Sequence, residues 1–232
     1  MLEIRNLFSG YGRVEIIRDV SIDVEQGEVV SIIGRNGVGK STFMKTIMGA
    51  VRPRLGSIVV DGIAVTNQPM YARADLGVGF VEQGHGIFPA LTVEENLKVA
   101  LTKKFKNHGS ELDVAYGHFP ILDARKTQKA GTLSGGEQAM LSIARALVSK
   151  PKLLILDEPS EGIQPNIVDQ IAKIILECRE ELGLTILLVE QNLRLIQLTS
   201  DRAYAMDKGT IVGHLTRDEL LDNDVVTSYL TV

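Results

Sequence analysis

Residues 34–41, GRNGVGKS, have the residue types and the spacing of a phosphate-binding loop, G-x-x-x-x-G-K-S/T. The preceding run, 27–33, is short, apolar and β-branched, which predicts a buried strand. The following stretch, 41–49, predicts a helix that ends at Gly49. A strand, a tight glycine loop and a helix start in this order direct backbone N–H groups and the positive end of a helix dipole at one point. The sequence therefore predicts a polyphosphate site.

The glycines, the lysine and the serine of this loop each have a task in such a site. Gly34, Gly37 and Gly39 let the backbone turn tightly and approach phosphate oxygens without an intervening Cβ. Lys40 is expected to reach the β- and γ-phosphates, and the Ser41 hydroxyl is expected to ligate Mg²⁺. We therefore predict a nucleotide site, and its phosphate-loop residues are Gly34, Arg35, Asn36, Gly37, Gly39, Lys40, Ser41 and Thr42.

A pair of carboxylates, Asp157 and Glu158, directly follows the apolar run 153–156, which predicts a buried strand. In open parallel sheets the carboxyl ends of the strands form the ligand crevice, so this pair is expected beside the phosphate loop. Asp157 would lie behind Ser41 and hold the Mg²⁺ shell. Glu158 would orient a water for attack on the γ-phosphate, a role that contributes roughly 10²–10⁴-fold. Alone, the pair would be read as a solvated turn; with the phosphate loop it favours a nucleoside triphosphatase.

Composition limits the classes of fold and function. The 232 residues suffice for one or two domains with a sizeable core. The net charge of −4 argues against a dedicated nucleic-acid binder, whose surface would carry a basic stripe. The longest apolar runs have four residues, too few to span a bilayer, and the first residues do not resemble a signal peptide. The single cysteine, Cys178, excludes an internal disulfide and is expected in the core of a cytoplasmic protein.

The order of the remaining patterns predicts a mixed α/β chain. The first 30 residues predict short strands, and the alternation of Val20, Ile22 and Val24 with polar residues is typical of a half-exposed antiparallel strand. Residues 103–129 leave open short helices or a mobile surface. Further strands are predicted at 57–60, 63–65, 77–81, 184–189, 203–206 and 210–212. Further helices are predicted from caps or a proline at Thr92, Ser134, Pro165, Asn192 and Thr216.

Five motifs occur in a fixed order: Tyr11, the phosphate loop, Gln83, LSGGE at 133–137 and LLILDEP at 153–159. Together they resemble the ATP-binding cassette (ABC) ATPases, and the resemblance covers essentially the whole chain. It implies a phosphate-loop ATPase core, a mostly parallel sheet with flanking helices. An N-terminal antiparallel β-subdomain and an inserted α-helical subdomain at about 84–148 would complete a single ABC ATPase domain, 1–232.

The same resemblance implies roles for residues outside the phosphate loop. Two such subunits pack head to tail, and each ATP lies between the phosphate loop of one and the LSGGQ-type signature of the other. Ser134 and Gly136 would then present N–H groups of a helix start to the γ-phosphate across the dimer. Tyr11 would stack on adenine, although a loop tyrosine is commonly only a packing residue. Gln83 would sense Mg²⁺ and signal to the membrane subunit, so the implied metal-site residues are Ser41, Gln83 and Asp157.

Three stretches of the sequence narrow the resemblance to one group of ABC ATPases. Residues 83–97, 130–147 and 189–192 resemble the importer ATPases for branched-chain and hydrophobic amino acids and their urea or short-amide relatives. The phosphate loop and EGIQP, 161–165, favour the urea/amide branch. The resemblance implies a peripheral ATPase subunit at the cytoplasmic face of the inner or plasma membrane. Its partners would be transmembrane permease subunits and, indirectly, a periplasmic or extracellular solute-binding protein, with no nucleic acid.

Four positions depart from the family pattern. Gln191 stands where a histidine is usual; it can hydrogen-bond a γ-phosphate but cannot carry a positive charge or shuttle a proton. Gln164, Glu137 and Glu82 replace the more common Asp, Gln and Pro. Gln191 joins Lys40 and Glu158 in the expected catalytic set. Because Gln191 departs from the family pattern, and because the chain resembles importers that use paired, non-identical ATPases, we hypothesise that it works beside a non-identical ATPase subunit and that its own site is the slower of the two.

Two alternatives to an importer remain at this point. The first is the ATPase subunit of a lipid or lipopolysaccharide exporter, because such subunits look similar. The second is a soluble ABC ATPase acting on DNA or ribosomes. The single cassette, the acidic charge and the lack of a long coiled-coil insertion or of zinc-binding cysteines count against the second alternative.

Overall fold

The computed structural model describes residues 1–101 and 108–230, which form two β-sheets with helices packed against them. The strands are β1 (Leu2–Tyr11), β2 (Val14–Val24), β3 (Val29–Ile33), β4 (Leu55–Val60), β5 (Ile63–Ala64), β6 (Val78–Val81), β7 (Leu153–Asp157), β8 (Thr185–Val189), β9 (Arg202–Asp207) and β10 (Thr210–Leu215). The helices are α1 (Lys40–Ile47), α2 (Met70–Asp75), α3 (Val93–Val99), α4 (His108–His118), α5 (Pro120–Ala124), α6 (Gly135–Leu147), α7 (Pro165–Leu182), α8 (Leu193–Thr199), α9 (Arg217–Leu221) and α10 (Asn223–Leu230). In the described part of the chain, none of the helices has the length and the apolar character needed to cross a bilayer.

The larger sheet has the strand order β10-β9-β3-β8-β7-β6, and only the β9–β10 pair is antiparallel. Strands β3, β7 and β8 are buried at every position, which explains why their sequences are mostly apolar. Because β3, β6, β7 and β8 run parallel, their carboxyl ends meet at one edge of the sheet. The phosphate loop begins directly after β3, and Gln83, Glu158 and Gln191 lie within two residues of the ends of β6, β7 and β8.

The smaller sheet, in the order β2-β1-β4-β5, is antiparallel throughout and confirms the predicted N-terminal strands. The β4–β5 turn has positive φ at both Asp61 and Gly62, as a type I′ hairpin requires. Tyr11 was expected in a loop, and this was wrong: it is the last residue of β1 and pairs with Val14 across the hairpin.

The predicted strands and capped helices are confirmed, and the structure adds to the prediction in three places. Residues 103–129, for which the sequence leaves short helices or a mobile surface open, contain α4 and α5. Residues 102–107 lie outside the described part. Helix α2 was not predicted because its six residues show no apolar periodicity. The single last helix predicted from Thr216 is two helices, because the Asp222 side chain accepts hydrogen bonds from the N–H groups of Asp224 and Val225 and starts α10 anew.

The hydrophobic cores lie on both faces of the larger sheet. Side chains from α6 and α7 pack on one face, where Cys178 is buried as predicted. Side chains from α1 and the smaller sheet pack on the other face. Burial raises the pKa of the Cys178 thiol to about 12, so it is an inert core residue at neutral pH.

Arg73, on α2, is a fully buried arginine that holds the end of the phosphate-loop helix. Its guanidinium donates to the carbonyl oxygens of Thr46 and Ile47, in the last turn of α1. It also donates to the carbonyls of Val65, Thr66 and Gln68. Burial lowers the pKa of Arg73 to about 10. The last carbonyls of a helix have no partner within the helix, so Arg73 gives the buried Ile47 carbonyl a donor; the carbonyls of Thr46 and Val65 also accept from the N–H groups of Gly49 and Gln68.

Replacing Arg73 with leucine is therefore expected to lower the free energy of unfolding by about 2–4 kcal/mol, because it removes the hydrogen bonds to these carbonyls and leaves that of Ile47, which is buried, without this donor. Urea denaturation measures this loss. The matched control is Arg52→Leu, since Arg52 is exposed and only reaches Asn67 at 3.5 Å. The control is expected to change stability by less than about 0.5 kcal/mol. Equal losses in the two variants would contradict the role assigned to Arg73.

Candidate nucleotide-binding site

The phosphate loop connects β3 to α1 with a backbone that requires glycine. Gly34 has φ +148°, and a Cβ there would lie 2.3 Å from the carbonyl oxygen of Met206. Gly39 has φ +113°, and a Cβ there would lie 3.2 Å from the side chains of Ile16 and Ile17. Larger residues at these two positions would push the loop away from its neighbours, which explains the glycine spacing of the motif.

Lys40 is almost completely buried at the start of α1. Its Nζ donates to the carbonyl oxygens of Gly34 at 2.7 Å and Arg35 at 3.0 Å, and it lies 3.4 Å from Oε1 of Glu158. Burial lowers the pKa of the ammonium, and the adjacent Glu158 carboxylate opposes that shift. The lysine therefore connects the loop backbone to the carboxylate that follows β7.

A cavity of about 280 Å³ lies over the loop and gathers residues from distant parts of the chain. Six of the predicted phosphate-loop residues line it together with Gln83 and Glu158. The full lining is Ile16, Asn36, Gly37, Gly39, Lys40, Ser41, Thr42, Gln83 and Glu158. Gly34 and Arg35 do not line this cavity; Arg35 instead lines a separate one beside Lys208 and Tyr229.

Asp157 ends β7 behind this cavity and is 3% exposed. The Ser41 hydroxyl lies close enough to this carboxylate to oppose a rise in its pKa. Oδ1 of Asp157 is buried and has no hydrogen-bond partner among the described residues. Burial, together with the Glu158 charge, raises the pKa of Asp157 to about 6. A buried carboxylate oxygen without a donor fits a cation, which would satisfy the oxygen and favour its ionised form.

Glu158 projects into the cavity from a strained turn, with φ +50°. The turn is held by its own N–H group, which donates to the carbonyl of Val189 at 2.8 Å. One carboxylate oxygen accepts a hydrogen bond from the Gln191 amide, and the other accepts one from Gln83 at 3.2 Å. Positive φ in a residue other than glycine is sparsely populated and marks positions that the surrounding structure holds in place.

Gln191 bridges two loops of the site. Its Nε2 donates to Oδ1 of Asn36 in the phosphate loop at 2.8 Å and also to Glu158. Gln83 makes a similar bridge after β6, because its Nε2 donates to Glu158 and, at 3.0 Å, to Glu161. The predicted residues from four strand ends thus form one hydrogen-bonded cluster.

All but one of the residues that line the phosphate-loop cavity lie within a stretch that matches a known family. Residues 17–161, more than half of the chain, match the family model described as ABC transporter. The chain belongs to the ABC transporter ATPase family. The family resemblance read from the five motifs, the α/β cassette fold and the activity as an ATP hydrolase are thereby confirmed.

Curated relatives match this ABC ATPase over nearly its whole length. The high-affinity branched-chain amino acid transport ATP-binding protein BraG of Pseudomonas aeruginosa is 43% identical over 228 residues, 97% of either chain. The probable branched-chain amino acid transport ATP-binding protein LivF of Archaeoglobus fulgidus is 40% identical and covers 97% of this chain and 95% of its own. The lipopolysaccharide export system ATP-binding protein LptB of Haemophilus influenzae is 35% identical, with coverage of 97% and 95%.

Solved ABC ATPase structures have the same fold. A nucleotide-free ATP-binding cassette from an ABC transporter matches with a TM-score of 0.86 at 28% identity, over 100% of this chain and 99% of the other. A cassette whose dimeric post-hydrolysis state contains ADP and Pi matches with a TM-score of 0.83 at 25% identity, over 94% and 99%. The protein cbiO1 from Clostridium perfringens, part of the ABC transporter complex cbiONQ, matches with a TM-score of 0.85 at 26% identity, over 98% and 92%.

The signature residues of this ABC ATPase lie outside the phosphate-loop cavity. Ser134 is the exposed N-cap of α6, and Gly136 is buried in the first turn of that helix. Glu137 completes a capping box: one of its oxygens accepts from the N–H and hydroxyl groups of Ser134, and the other lies 3.0 Å from the Arg125 guanidinium. The glutamate that replaces the usual glutamine therefore has a countercharge. Tyr11 also lies outside the cavity lining, and it is exposed at the end of β1.

Sequence reasoning missed one buried residue of the site, Glu190. It follows β8 directly, is 3% exposed and accepts hydrogen bonds from Ser160, Gln191 and Asn192. A glutamate in the loop after a strand is usually solvated, so the residue type alone does not predict a buried role. The available signal was its position: like Asp157, it comes at the carboxyl end of a fully buried strand.

Proposed function

We propose that this ABC ATPase energises the import of branched-chain or hydrophobic amino acids, or of urea or short amides, through separate permease subunits. The observation that carries this proposal is the 43% identity to BraG over 97% of both chains, against 35% to LptB. The resemblance of the phosphate loop and of residues 161–165 to the urea/amide branch supports the second solute class. The subunit would be peripheral, at the cytoplasmic face of the membrane, and a solute-binding protein would act with it indirectly.

The phosphate loop would bind the ATP phosphates in the 280 Å³ cavity. Lys40 already lies there with its ammonium directed at oxygen acceptors, and it would donate to the β- and γ-phosphates. Loop N–H groups and the start of α1 would add to the attraction of the anion. Glu158 would accept the proton of the attacking water, and Gln191 would donate to the γ-phosphate.

The residues behind the phosphate-loop cavity have the oxygen groups that Mg²⁺ needs as ligands. Among the described residues, the carboxylates of Asp157, Glu158 and Glu190 are buried in this region together with the ammonium of Lys40, so negative charge is in excess. The unpaired Oδ1 of Asp157 adds a donor oxygen, and the Ser41 hydroxyl lies beside it. Ser41, Asp157 and Gln83 would hold the ion. When bound, Mg²⁺ neutralises charge that develops on the β- and γ-phosphates.

A second ATPase subunit would complete the site. Ser134 lies outside the cavity of its own chain and is exposed, so it is available to a partner's ATP. The dimeric cassette with ADP and Pi supports this arrangement by similarity of fold. Ser134 and Gly136 would then contact the γ-phosphate across the dimer, and Tyr11 would stack on the adenine of its own site.

The chemistry of Gln191 supports the proposal that the second ATPase subunit is not identical to this chain. It already donates hydrogen bonds to Asn36 and Glu158, but a neutral amide cannot accept the proton that a histidine could take. The site built on this phosphate loop would therefore be the slower of two, and the partner subunit would carry the faster one.

Replacing Gln191 with histidine is expected to raise the ATPase rate of the isolated chain by at least about tenfold, because an imidazole can act in proton transfer. A coupled assay of ADP release measures the rate. The control is Gln26→His, which adds a histidine at an exposed turn between β2 and β3 and should leave the rate unchanged. If Gln191→His gains no rate over this control, the slow-site hypothesis is contradicted.

A lipopolysaccharide or lipid exporter is the second candidate, because LptB of Haemophilus influenzae is 35% identical over most of both chains. A soluble ABC ATPase acting on DNA or ribosomes is the third. The net charge of −4 counts against it.

The proposal is tested by exchanging the chromosomal gene for its Glu158→Gln form. Loss of uptake of labelled leucine or labelled urea is expected, and the solute lost identifies the branch. Normal uptake of both, with lipopolysaccharide retained in the inner membrane, would indicate the exporter. A pulldown with the wild-type chain should yield integral membrane proteins, whereas nucleic acid or ribosomes would support the third candidate.

A further inference from the structure

Glu190 makes an unusual set of contacts for a buried carboxylate. Its Oε1 accepts hydrogen bonds from the N–H group of Ser160, at 3.1 Å, and from the Ser160 hydroxyl. Its Oε2 accepts from the N–H groups of Gln191, at 2.7 Å, and Asn192, at 3.2 Å. Each oxygen therefore holds a different loop: one the segment after β7, the other the segment after β8.

These two loops carry the side chains that meet in the phosphate-loop cavity. Ser160 comes two residues after Glu158, and Gln191 directly follows Glu190. The Gln191 amide donates to the Glu158 carboxylate across the gap between the loops. Glu158 itself occupies a strained backbone conformation, with φ +50°, so the loop that carries it has to be held by its surroundings.

The carboxylate cannot be replaced by a neutral group of the same shape without losing contacts. All the hydrogen bonds that the described residues give to Glu190 come from neutral N–H and O–H groups. A glutamine has one acceptor oxygen and one NH₂ group, which would face donors on one of the two loops. Burial raises the pKa of Glu190, and the hydrogen bonds from Ser160, Gln191 and Asn192 oppose that shift.

We propose that Glu190 is a positioning residue of the ATPase reaction: it locks the loops after β7 and β8 together, so that Glu158 and Gln191 act on the same γ-phosphate. This inference rests on the roles proposed above for those two residues. Glu190 does not reach the cavity itself, since it is absent from the lining and its carboxylate is used by Ser160, Gln191 and Asn192.

Glu190→Gln is expected to lower kcat for ATP hydrolysis by at least about tenfold, while the Kd for ATP changes by less than about twofold. The phosphate loop, which supplies most of the ATP contacts, has no hydrogen bond to Glu190 among the described residues. The matched control is Glu180→Gln, at an exposed position on α7, which should leave both constants unchanged. Steady-state kinetics and titration with a fluorescent ATP analogue separate the two constants.

A double-mutant cycle with Gln191→Ala distinguishes positioning from a general loss of stability. If Glu190 acts through Gln191, Glu190→Gln should lower kcat by a much smaller factor in the Gln191→Ala background. The same factor in both backgrounds, or a weaker Kd for ATP with kcat unchanged, would overturn the inference. Should Glu190→Gln fail to fold, Ser160→Ala removes only the hydroxyl donor; kcat should fall about threefold, and an unchanged kcat would also overturn it.

The Glu158→Gln variant, assayed beside these variants, distinguishes a failure of the role proposed for Glu158 from a failure of the role proposed for Glu190. If Glu158→Gln hydrolyses ATP at the wild-type rate, the proposed role of Glu158 fails, whatever Glu190 does. If Glu158→Gln is inactive but Glu190→Gln is as active as Glu180→Gln, only the positioning role fails.

Discussion

Glu158→Gln is expected to lower the turnover number for ATP hydrolysis by at least about 100-fold. The amide has the shape of the carboxylate but cannot accept a proton from the attacking water. ATP binding should persist, because the contacts expected from the phosphate loop do not involve this side chain. With ATP bound and hydrolysis blocked, two chains should remain together as a closed dimer.

Two measurements check this result: single-turnover hydrolysis of radiolabelled ATP, and sedimentation velocity with MgATP. The matched control is Glu161→Gln, because the exposed Glu161 shares the Gln83 contact but does not line the cavity. The control should hydrolyse ATP within about threefold of the wild-type rate. Near-normal hydrolysis by Glu158→Gln would show that another group activates the water.

Lys40→Ala should instead weaken nucleotide binding itself. A charge-assisted hydrogen bond contributes about 1.5–3 kcal/mol, so losing the ammonium should raise the Kd for ATP by about 10- to 100-fold. The substitution also leaves the buried Glu158 carboxylate without its nearby cation, which lies 3.4 Å away in the wild-type chain. A titration with a fluorescent ATP analogue measures the change.

Lys45→Ala is the control for this variant, because Lys45 is on the same helix, α1, but its side chain is exposed. Both variants lose one positive charge, so any general electrostatic effect on the anionic ligand is shared. An equal loss of affinity in both variants would mean that Lys40 makes no specific contact with the phosphates.

The elements of the ATPase core could be predicted because their signals are local. The glycine loop between an apolar run and a helix, and the capping residues Thr92 and Ser134, each act within four residues of the chain. Helix α2 could not be predicted this way. It is held by the tertiary contacts of Arg73 with the end of α1 rather than by its own apolar pattern.

The site could be predicted in outline but not in its contacts. The parallel-sheet rule places Asp157 and Glu158 beside the phosphate loop, and the structure brings them there. The bridges from Gln191 to Asn36 and from Gln83 to Glu158 join residues 155 and 75 positions apart, and no local pattern specifies such pairs. The contact of Glu190 with Ser160, 30 positions away, is also one that no local pattern specifies.

The assignment of the cavity as a nucleotide site requires that the folded chain bind ATP with Mg²⁺. Isothermal titration calorimetry of the wild-type protein with MgATP should show a saturable heat, which excess EDTA should reduce because the cation at Ser41 and Asp157 would be removed. If protein that is correctly folded by circular dichroism gives no heat of binding with MgATP, the assignment of the cavity as a nucleotide site is contradicted.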